Sequence, residues 1–506
     1  MTDVFKLDLD TPAYKGTISF PTGLFIGGEW VKPVEGLSIE VINPANASVI
    51  TSVSIGTEKD VDVALEAAQR AYKSSWGLKV PGTERGKMLA KLADLVEANL
   101  EEFAAIESLN CGWFFTPLGL VTVDAVRYFA GWADKIHGRT METNENKLAY
   151  TRHEPWGVVG AIIPWNFPLT NIAWKLAPTL ATGNVLVLKP SEITPLPALK
   201  LASLIPQAGF PPGVINIVNG YGSVVGARMA SHPGIAKLAF TGSTLTGRKI
   251  QEAAARSNLK AVTLELGGKS PNIIFEDADL EQAVKWAGIG VFTNMGQACC
   301  AGTRIFVQEL VYDQFMELFK KNAEALQAGI GEPFELGTMH GPQVSKGQYE
   351  KVLSYISSGI SAGATLVTGG TQHPRGTKQD SSPGYYISPT IFGDCRPDMK
   401  IVKEEIFGPV AAVIKFKDEE EVISLANDTS YGLACGVFTQ NSSRAIRVAH
   451  ALEAGTAWVN CYMTVELQVP FGGYKESGGG GRELGIWALD TYTQVKSVHV
   501  NIGMRL

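Results

Sequence analysis

Cysteine is scarce in this 506-residue chain, with six in all and only Cys299 and Cys300 adjacent. So sparse a set excludes a disulfide framework and predicts reduced thiols. The seven histidines include no two at metal-ligand spacing, so no metal site is expected. An excess of basic charge is missing as well: 44 Lys and Arg stand against 50 Asp and Glu, for a net charge of -6. The basic residues are scattered, which excludes a field that would attract nucleic acid or anionic lipid. Long apolar runs are also lacking. The longest, around Trp156 to Phe167, is broken by Gly157, Gly160 and Pro164 and is too short to cross a bilayer. From Met1 to Phe20, Asp, Lys and Pro mix with apolar residues, without the basic and apolar regions of an export signal. A cytoplasmic protein is expected.

What is present suits a globular enzyme. Hydrophobic residues make up 45% and charged residues 19%, a balance that rules out a disordered chain. A chain of this length exceeds what one hydrophobic core normally supports, so two or three substructures are expected. Thr57, with Asp60 three residues on, opens a helix whose apolar face is Val61, Ala64, Leu65, Ala68, Ala71 and Tyr72. A second helical stretch follows from Thr83 to Leu100.

From Val158 onward come short apolar runs without polar alternation: Val158 to Ile163, Val185 to Leu188, Val214 to Val218, Leu238 to Phe240 and Val262 to Leu264. Such runs suit strands buried on both faces. Segments of helix length lie between them: Leu169 to Ala181, Ala198 to Gln207, Ser223 to Ser231 and Leu245 to Arg256. Strand and helix in alternation predict a doubly wound parallel sheet with its ligand crevice at the carboxyl ends of the strands. After Gly267 the alternation restarts at Ile273 and runs to Val459, which predicts a second α/β domain. The polar stretch Thr368 to Gly384 reads as a surface excursion. Two segments fit neither pattern, a polar hairpin at His137 to Arg152 and an alternating strand at Tyr492 to Val500. An unpaired strand leaves an edge to cover, so these are expected to meet in a subunit interface.

The residues with chemistry to offer cluster at the ends of these runs. In Phe292-Thr293-Asn294-Met295-Gly296-Gln297-Ala298-Cys299-Cys300, a Gly-Gln turn between a helix and a strand presents two thiols at a domain edge. Cys111, Cys395 and Cys435 have no such context and read as small buried hydrophobes. The strand Val262-Thr263-Leu264-Glu265 delivers a carboxylate and stops at Gly267-Gly268. A Glu so placed needs a partner or a proton, and a raised pKa suits a general base. Asn166, between Pro164 and Pro168, is either a turn cap or a neutral oxyanion donor. Lys189 and Glu192 are either a solvated strand end or a grip on ribose hydroxyls. Gly242 and Ser243 join a strand to a helix start, where a pyrophosphate is favoured, although the full Gly-x-Gly-x-x-Gly fingerprint is missing.

Taken together, the chain resembles the aldehyde dehydrogenase superfamily, and within it the hydrolytic, tetrameric, NAD-dependent class of broad specificity. The resemblance runs from about Gly27 to Val500. It rests on Pro164-Trp165-Asn166-Phe167-Pro168, Lys189-Pro190-Ser191-Glu192, Phe240-Thr241-Gly242-Ser243-Thr244, Leu264-Glu265-Leu266-Gly267-Gly268-Lys269, the Gly-Gln-x-Cys ending at Cys299, Glu404-Glu405-Ile406-Phe407-Gly408-Pro409 and Pro470-Phe471-Gly472-Gly473. It implies an α/β fold with a Rossmann-type doubly wound cofactor domain (1–136 and 156–267), an α/β catalytic domain (268–485) and a small β oligomerisation arm (137–155 and 486–506).

The resemblance also implies roles. Cys299 would be the nucleophile, Glu265 the base for the deacylating water, and Asn166 with the Cys299 N–H the oxyanion hole. NAD, or NADP in its place, would be held by Ile163, Trp165, Lys189, Glu192, Gly242, Ser243, Glu405 and Phe407, with Glu192 favouring NAD by repelling a 2′-phosphate. Phe167, Trp174, Phe292, Thr293, Met463, Val465 and Phe471 would line a tunnel for an apolar aliphatic or aromatic aldehyde. The tunnel would be wide where Thr293 and Val465 replace the aromatics common in relatives. A homotetramer built from dimers is implied.

Two departures from the family pattern stand out. Asn110-Cys111-Gly112-Trp113-Phe114 replaces the usual Asp-Asn-Gly-Lys-Pro, which unsettles the structure expected near the tunnel entrance. The run Gly478-Gly479-Gly480-Gly481 carries one residue more than usual, so a looser loop is expected there. A cofactor-free thioesterase or esterase using Cys299 and Glu265, or a non-enzymatic structural role, are the competing expectations. The cofactor motifs oppose the first, and the pairing of thiol with carboxylate opposes the second.

Overall fold

The computed structural model describes residues 2–116, 119–371 and 383–506. Most of the excursion expected at Thr368 to Gly384 lies outside the described residues. Asp60 accepts the Thr57 backbone N–H at 2.8 Å and closes a capping box on helix Glu58–Ser74, whose Val61, Ala64, Leu65, Ala68 and Ala71 are buried. The stretch from Thr83 divides into helices Gly82–Glu97 and Leu100–Cys111, because the chain turns at Ala98 and Asn99.

Eight strands make the first sheet, in the spatial order Gly478–Gly479, Ala261–Glu265, Lys237–Thr241, Val158–Ile162, Val185–Lys189, Ile215–Ile217, Leu24–Ile26 and Glu29–Val31. The five from Ala261–Glu265 to Ile215–Ile217 are parallel. The chain starts at Val158–Ile162, winds outward one way to Ile215–Ile217, then returns to the other side at Lys237–Thr241. The order therefore reverses between Val158–Ile162 and Lys237–Thr241, the position outside whose carboxyl ends ligands bind in open α/β sheets. Val185, Leu186, Val187 and Leu188 have no exposed surface. Burying such side chains stabilises the sheet by roughly 1.5–3 kcal/mol each relative to leaving them in water, which is why the run is uniformly apolar.

Seven strands form the second sheet, ordered Thr365–Thr368, Thr390–Gly393, Val410–Phe416, Arg304–Gln308, Pro271–Ile274, Ala434–Phe438 and Thr456–Val459. Its neighbours are parallel except for the Thr365–Thr368 edge.

The C-terminal strand Thr493–Asn501 pairs antiparallel with Lys147–Pro155 over its full length, and Lys147–Pro155 pairs with Thr140–Met141. The two segments therefore meet within the chain, and the outer edge of the C-terminal strand remains unpaired among the described residues. Just before it, Ala488 and Leu489 of helix Gly485–Thr491 and Tyr492 at its C-cap pack into the core around the first sheet.

Candidate active site

The loop carrying the two thiols is built by its own side chains. After helix Leu280–Phe292, Asn294 and Met295 adopt left-handed backbone with φ of 51° and 54°, a region that non-glycine residues seldom enter without local support. The buried Gln297 supplies that support. Its Nε2 donates to the Asn294 carbonyl at 3.1 Å and its Oε1 accepts the Val344 N–H at 3.0 Å. Gln343 Nε2 donates to the Met295 carbonyl at 3.1 Å. Cys299 is left partly exposed, whereas Cys300 is buried with its carbonyl accepting the Tyr462 hydroxyl at 2.9 Å.

Asn166, at the end of strand Val158–Ile162, reaches this loop from the first sheet. Its Nδ2 donates to the Gln297 carbonyl at 3.0 Å, and its own carbonyl accepts Asn294 Nδ2 at 2.9 Å. One of the two amide protons is thus committed to the loop and the second is left for another acceptor.

Glu265 ends its strand opposite Gly478. Its carboxyl is buried, and Oε2 has no hydrogen-bond partner. Burial, and then the Glu483 charge, push it well above the ordinary carboxylate range; Lys175 opposes the shift and Cys299 adds to it. The Cys299 contribution to this shift places thiol and carboxyl within electrostatic reach. Contact with the Cys300 thiol, together with burial, holds the Cys299 thiol well above its ordinary value. Neither group ionises easily alone, so a proton leaving the thiol needs a nearby acceptor. Gly472, at φ 157°, leaves room for the carboxylate: a β-carbon there would lie 2.8 Å from Glu265 Oε1.

The parallel strands set a row of polar groups along one edge of the first sheet. Lys189 stands beside Ile162, Ile162 beside Phe240, and Thr241 beside Glu265. Lys189 Nζ lies 3.1 Å from Glu192 Oε2, and the other Glu192 oxygen accepts the Gly222 N–H at 3.4 Å. Burial pushes Glu192 up, but the Lys189 ammonium and the Gly222 N–H outweigh it and hold the carboxyl below its ordinary value. Ser243 caps the 13-residue helix Thr244–Arg256. The Gly242 N–H is committed to the Glu265 carbonyl at 3.0 Å, and the exposed Ser243 hydroxyl bonds to Thr246 in the cap. Ile163 is buried, and its N–H donates to the Lys189 carbonyl at 3.1 Å.

From the second domain, Glu405 accepts the Gly268 N–H at 3.1 Å. Phe407 has φ 60° and meets Trp165 edge-on, the ring centroids 5.2 Å apart. A carboxylate at a strand end, an exposed helix N-terminus, a second carboxylate and an aromatic corner fit the riboses, pyrophosphate and planar ring of a dinucleotide.

Around the thiol the surface is apolar. Trp174, Met463, Phe471 and Cys299 belong to one cluster, with Trp174 and Phe471 centroids 5.5 Å apart. A model of the aldehyde dehydrogenase family matches residues 30–498. An aldehyde dehydrogenase of Agaricus bisporus is 56% identical over 510 residues, covering 100% of each chain. Among solved structures, an NAD+ complex of an aldehyde dehydrogenase from Bacillus cereus has a TM-score of 0.91 at 48% identity, covering 95% of this chain and 97% of that one. A betaine aldehyde dehydrogenase from Staphylococcus aureus in complex with NAD+ has a TM-score of 0.93 at 39% identity, covering 96% of both chains.

The chain belongs to the aldehyde dehydrogenase family.

In this aldehyde dehydrogenase the structure brings Cys299, Glu265 and Asn166 into one neighbourhood, with the polar row on the sheet edge leading to it. Thr293 and Val465 are exposed, as residues of a tunnel mouth would be. Phe292 is a correction: it is buried and stacks on Phe319 at 5.8 Å, inside the core under the second sheet rather than in the apolar cluster around the thiol. The glycine run is a second correction. Gly478 and Gly479 pair with Glu265 and Leu264, and the Leu266 N–H donates to the Ser477 carbonyl at 2.9 Å, which fastens that part of the loop beside the base.

Sequence reasoning missed Asn294, Gln297 and Gln343, whose amides hold the thiol loop. It also missed the buried ion pair of Lys175 with Glu483, 2.5 Å apart. A lysine in the apolar helix Pro168–Ala181 was the available signal, since an unpaired charge there would be costly.

Proposed function

We propose that this chain oxidises an apolar aldehyde to its carboxylic acid with NAD, through a thioester on Cys299 whose hydrolysis Glu265 promotes. The observation that carries this is a partly exposed thiol within electrostatic reach of a buried carboxylate that has one oxygen unpaired. Loss of the thiol proton lets Cys299 Sγ attack the aldehyde carbon, and the carbonyl oxygen becomes an oxyanion. The uncommitted Asn166 N–H and the Cys299 backbone N–H would hold it; such donors are worth roughly 3 kcal/mol each in the transition state. Bound NAD would supply the hydride acceptor for oxidation of the former aldehyde carbon to the thioester. Glu265 then takes a proton from water as the water attacks the thioester, and the acid leaves with the thiol restored.

Lys189 and Glu192 would hold the adenosine ribose, Ser243 the pyrophosphate, and Glu405 with Phe407 the nicotinamide end. The Glu192 carboxylate supports NAD over NADP, because a 2′-phosphate would meet its charge. Six free thiols support the cytoplasm as the compartment, and among the described residues no helix is long and apolar enough to cross a membrane. A tetramer of two dimers is supported by exposed Val495, Val500 and Ile502 on and beside the C-terminal strand; a monomer mass by light scattering would refute it.

Absorbance of NADH after mixing the protein with NAD and hexanal tests the activity. Cys299→Ala should abolish it while NAD binding persists, and Cys300→Ala should retain most of it. Equal rates for Cys299→Ala and the parent would overturn the assignment.

A further inference from the structure

The segment after helix Leu100–Cys111, where the chain departs from its relatives' usual residues, is fastened on every side. Glu107 accepts the Leu169 N–H at 3.2 Å, tying this helix to the first turn of Pro168–Ala181. Asn110 Nδ2 donates to the Ile193 carbonyl at 3.0 Å and Asn110 Oδ1 accepts the Leu196 N–H at 3.2 Å. Gly112, at φ 78°, ends the helix where a β-carbon would lie 2.7 Å from a Pro342 ring carbon. The Phe115 N–H donates to the Pro333 carbonyl at 2.9 Å. Between these anchors Trp113 is not buried in any core. Its indole stands edge-on to Phe167, with centroids 5.0 Å apart and planes at 77°. Phe167 adjoins Asn166, whose amide grips the thiol loop.

We propose that Trp113 is a specificity-determining residue, forming the outer wall of the aldehyde tunnel and selecting substrates that carry a ring at their far end. The proposal rests on the aldehyde-oxidising activity proposed above. A large apolar ring, set between anchored residues and left partly in solvent, offers a flat surface to an extended aromatic substrate lying along Phe167. Contact with one such ring is worth about a two- to tenfold change in affinity. A short aldehyde bound at Cys299 does not extend to the indole and gains nothing from it.

The test compares the parent with Trp113→Ala and Trp113→Phe, using NAD with acetaldehyde and with 2-naphthaldehyde. Trp113→Ala should raise KM for 2-naphthaldehyde about two- to tenfold, leaving kcat and the acetaldehyde parameters unchanged. Trp113→Phe, which restores an aromatic edge, should recover most of the loss. Unchanged KM in Trp113→Ala, or an equal fall for both aldehydes with a lowered Tm, would overturn the role by making the indole irrelevant or merely structural. If the parent reduces NAD with neither aldehyde nor with hexanal, the activity itself is overturned and this role with it.

Discussion

Gly268 passes so close to Cys299 that a β-carbon there would sit 2.4 Å from the Cys299 carbonyl oxygen. The obstacle is backbone, so it cannot swing aside as a flexible side chain would. Gly268→Ala should therefore push the thiol loop off its anchors of Gln297 and Asn166. Misplacement of a reacting group by an ångström can cost about a hundredfold in rate, and NADH production should fall by that order. Alkylation of Cys299 by iodoacetamide should change in parallel. Parent-like turnover in Gly268→Ala would show that the thiol loop tolerates displacement.

Glu265 predicts a pH dependence with a definite sign. Burial raises its pKa well above the ordinary 4.5, so the base form needed for deacylation appears only as pH climbs toward the raised pKa. Steady-state rate should rise toward alkaline pH, and Glu265→Gln should remove that rise. Mass spectrometry of Glu265→Gln after aldehyde and NAD should show accumulated acyl-enzyme. Stability runs the other way: the folded state holds this proton more tightly than the unfolded state, so stability falls as pH rises from the unfolded to the folded pKa. Glu265→Gln should flatten that fall. An absence of acyl mass, with the rate unchanged, would remove Glu265 from the mechanism.

Much of the fold was legible because the apolar runs were uniform. Val185 to Leu188 admits only a strand buried on both faces, and Leu280 to Phe292 forms a helix over the predicted range. The N-terminal strand pair Val4–Asp10 and Lys15–Pro21 was not legible, since alternating side chains on an exposed hairpin leave a weak pattern. The site residues at strand ends were visible through their local motifs. Gln297 and Gln343 were not, because the partners of an amide such as the Met295 and Asn294 carbonyls are fixed by a tertiary turn that no spacing reveals. Phe292 was misplaced for a related reason: its neighbour Phe319 comes from a helix far along the chain.

The Lys175–Glu483 pair has both side chains almost fully buried. Removing one partner of such a pair strands the other charge and typically costs about 3–5 kcal/mol. Lys175→Met should lower Tm accordingly, and Lys175→Met with Glu483→Leu should recover a large part of it. Because Lys175 lowers the Glu265 pKa and Glu483 raises it, the single substitution should also move the acidic limb of the rate profile to higher pH. Loss of stability without that movement would separate the pair from the base.

The substrate should be apolar rather than cationic. The cluster of Trp174, Met463 and Phe471 beside Cys299 carries no charge, and Glu466, the nearest acidic residue in sequence to Val465, is exposed at the surface. Aromatic faces do attract a quaternary ammonium, by about 0.5–2 kcal/mol. Stripping water from a cation costs several kcal/mol unless a carboxylate compensates, so the rings alone leave a cationic aldehyde at a disadvantage. An apolar chain or ring incurs no such cost and gains about 25 cal/mol for each Å² it buries. On kcat/KM, benzaldehyde and hexanal should therefore exceed betaine aldehyde, and acetaldehyde, which fills little of the tunnel, should show a higher KM than hexanal. The comparison matters because a structural relative is a betaine aldehyde dehydrogenase. Should betaine aldehyde be the better substrate, the apolar wall is not what selects. Glu466→Gln would then be the variant to measure, with loss of the cationic preference expected if that carboxylate turns into the mouth.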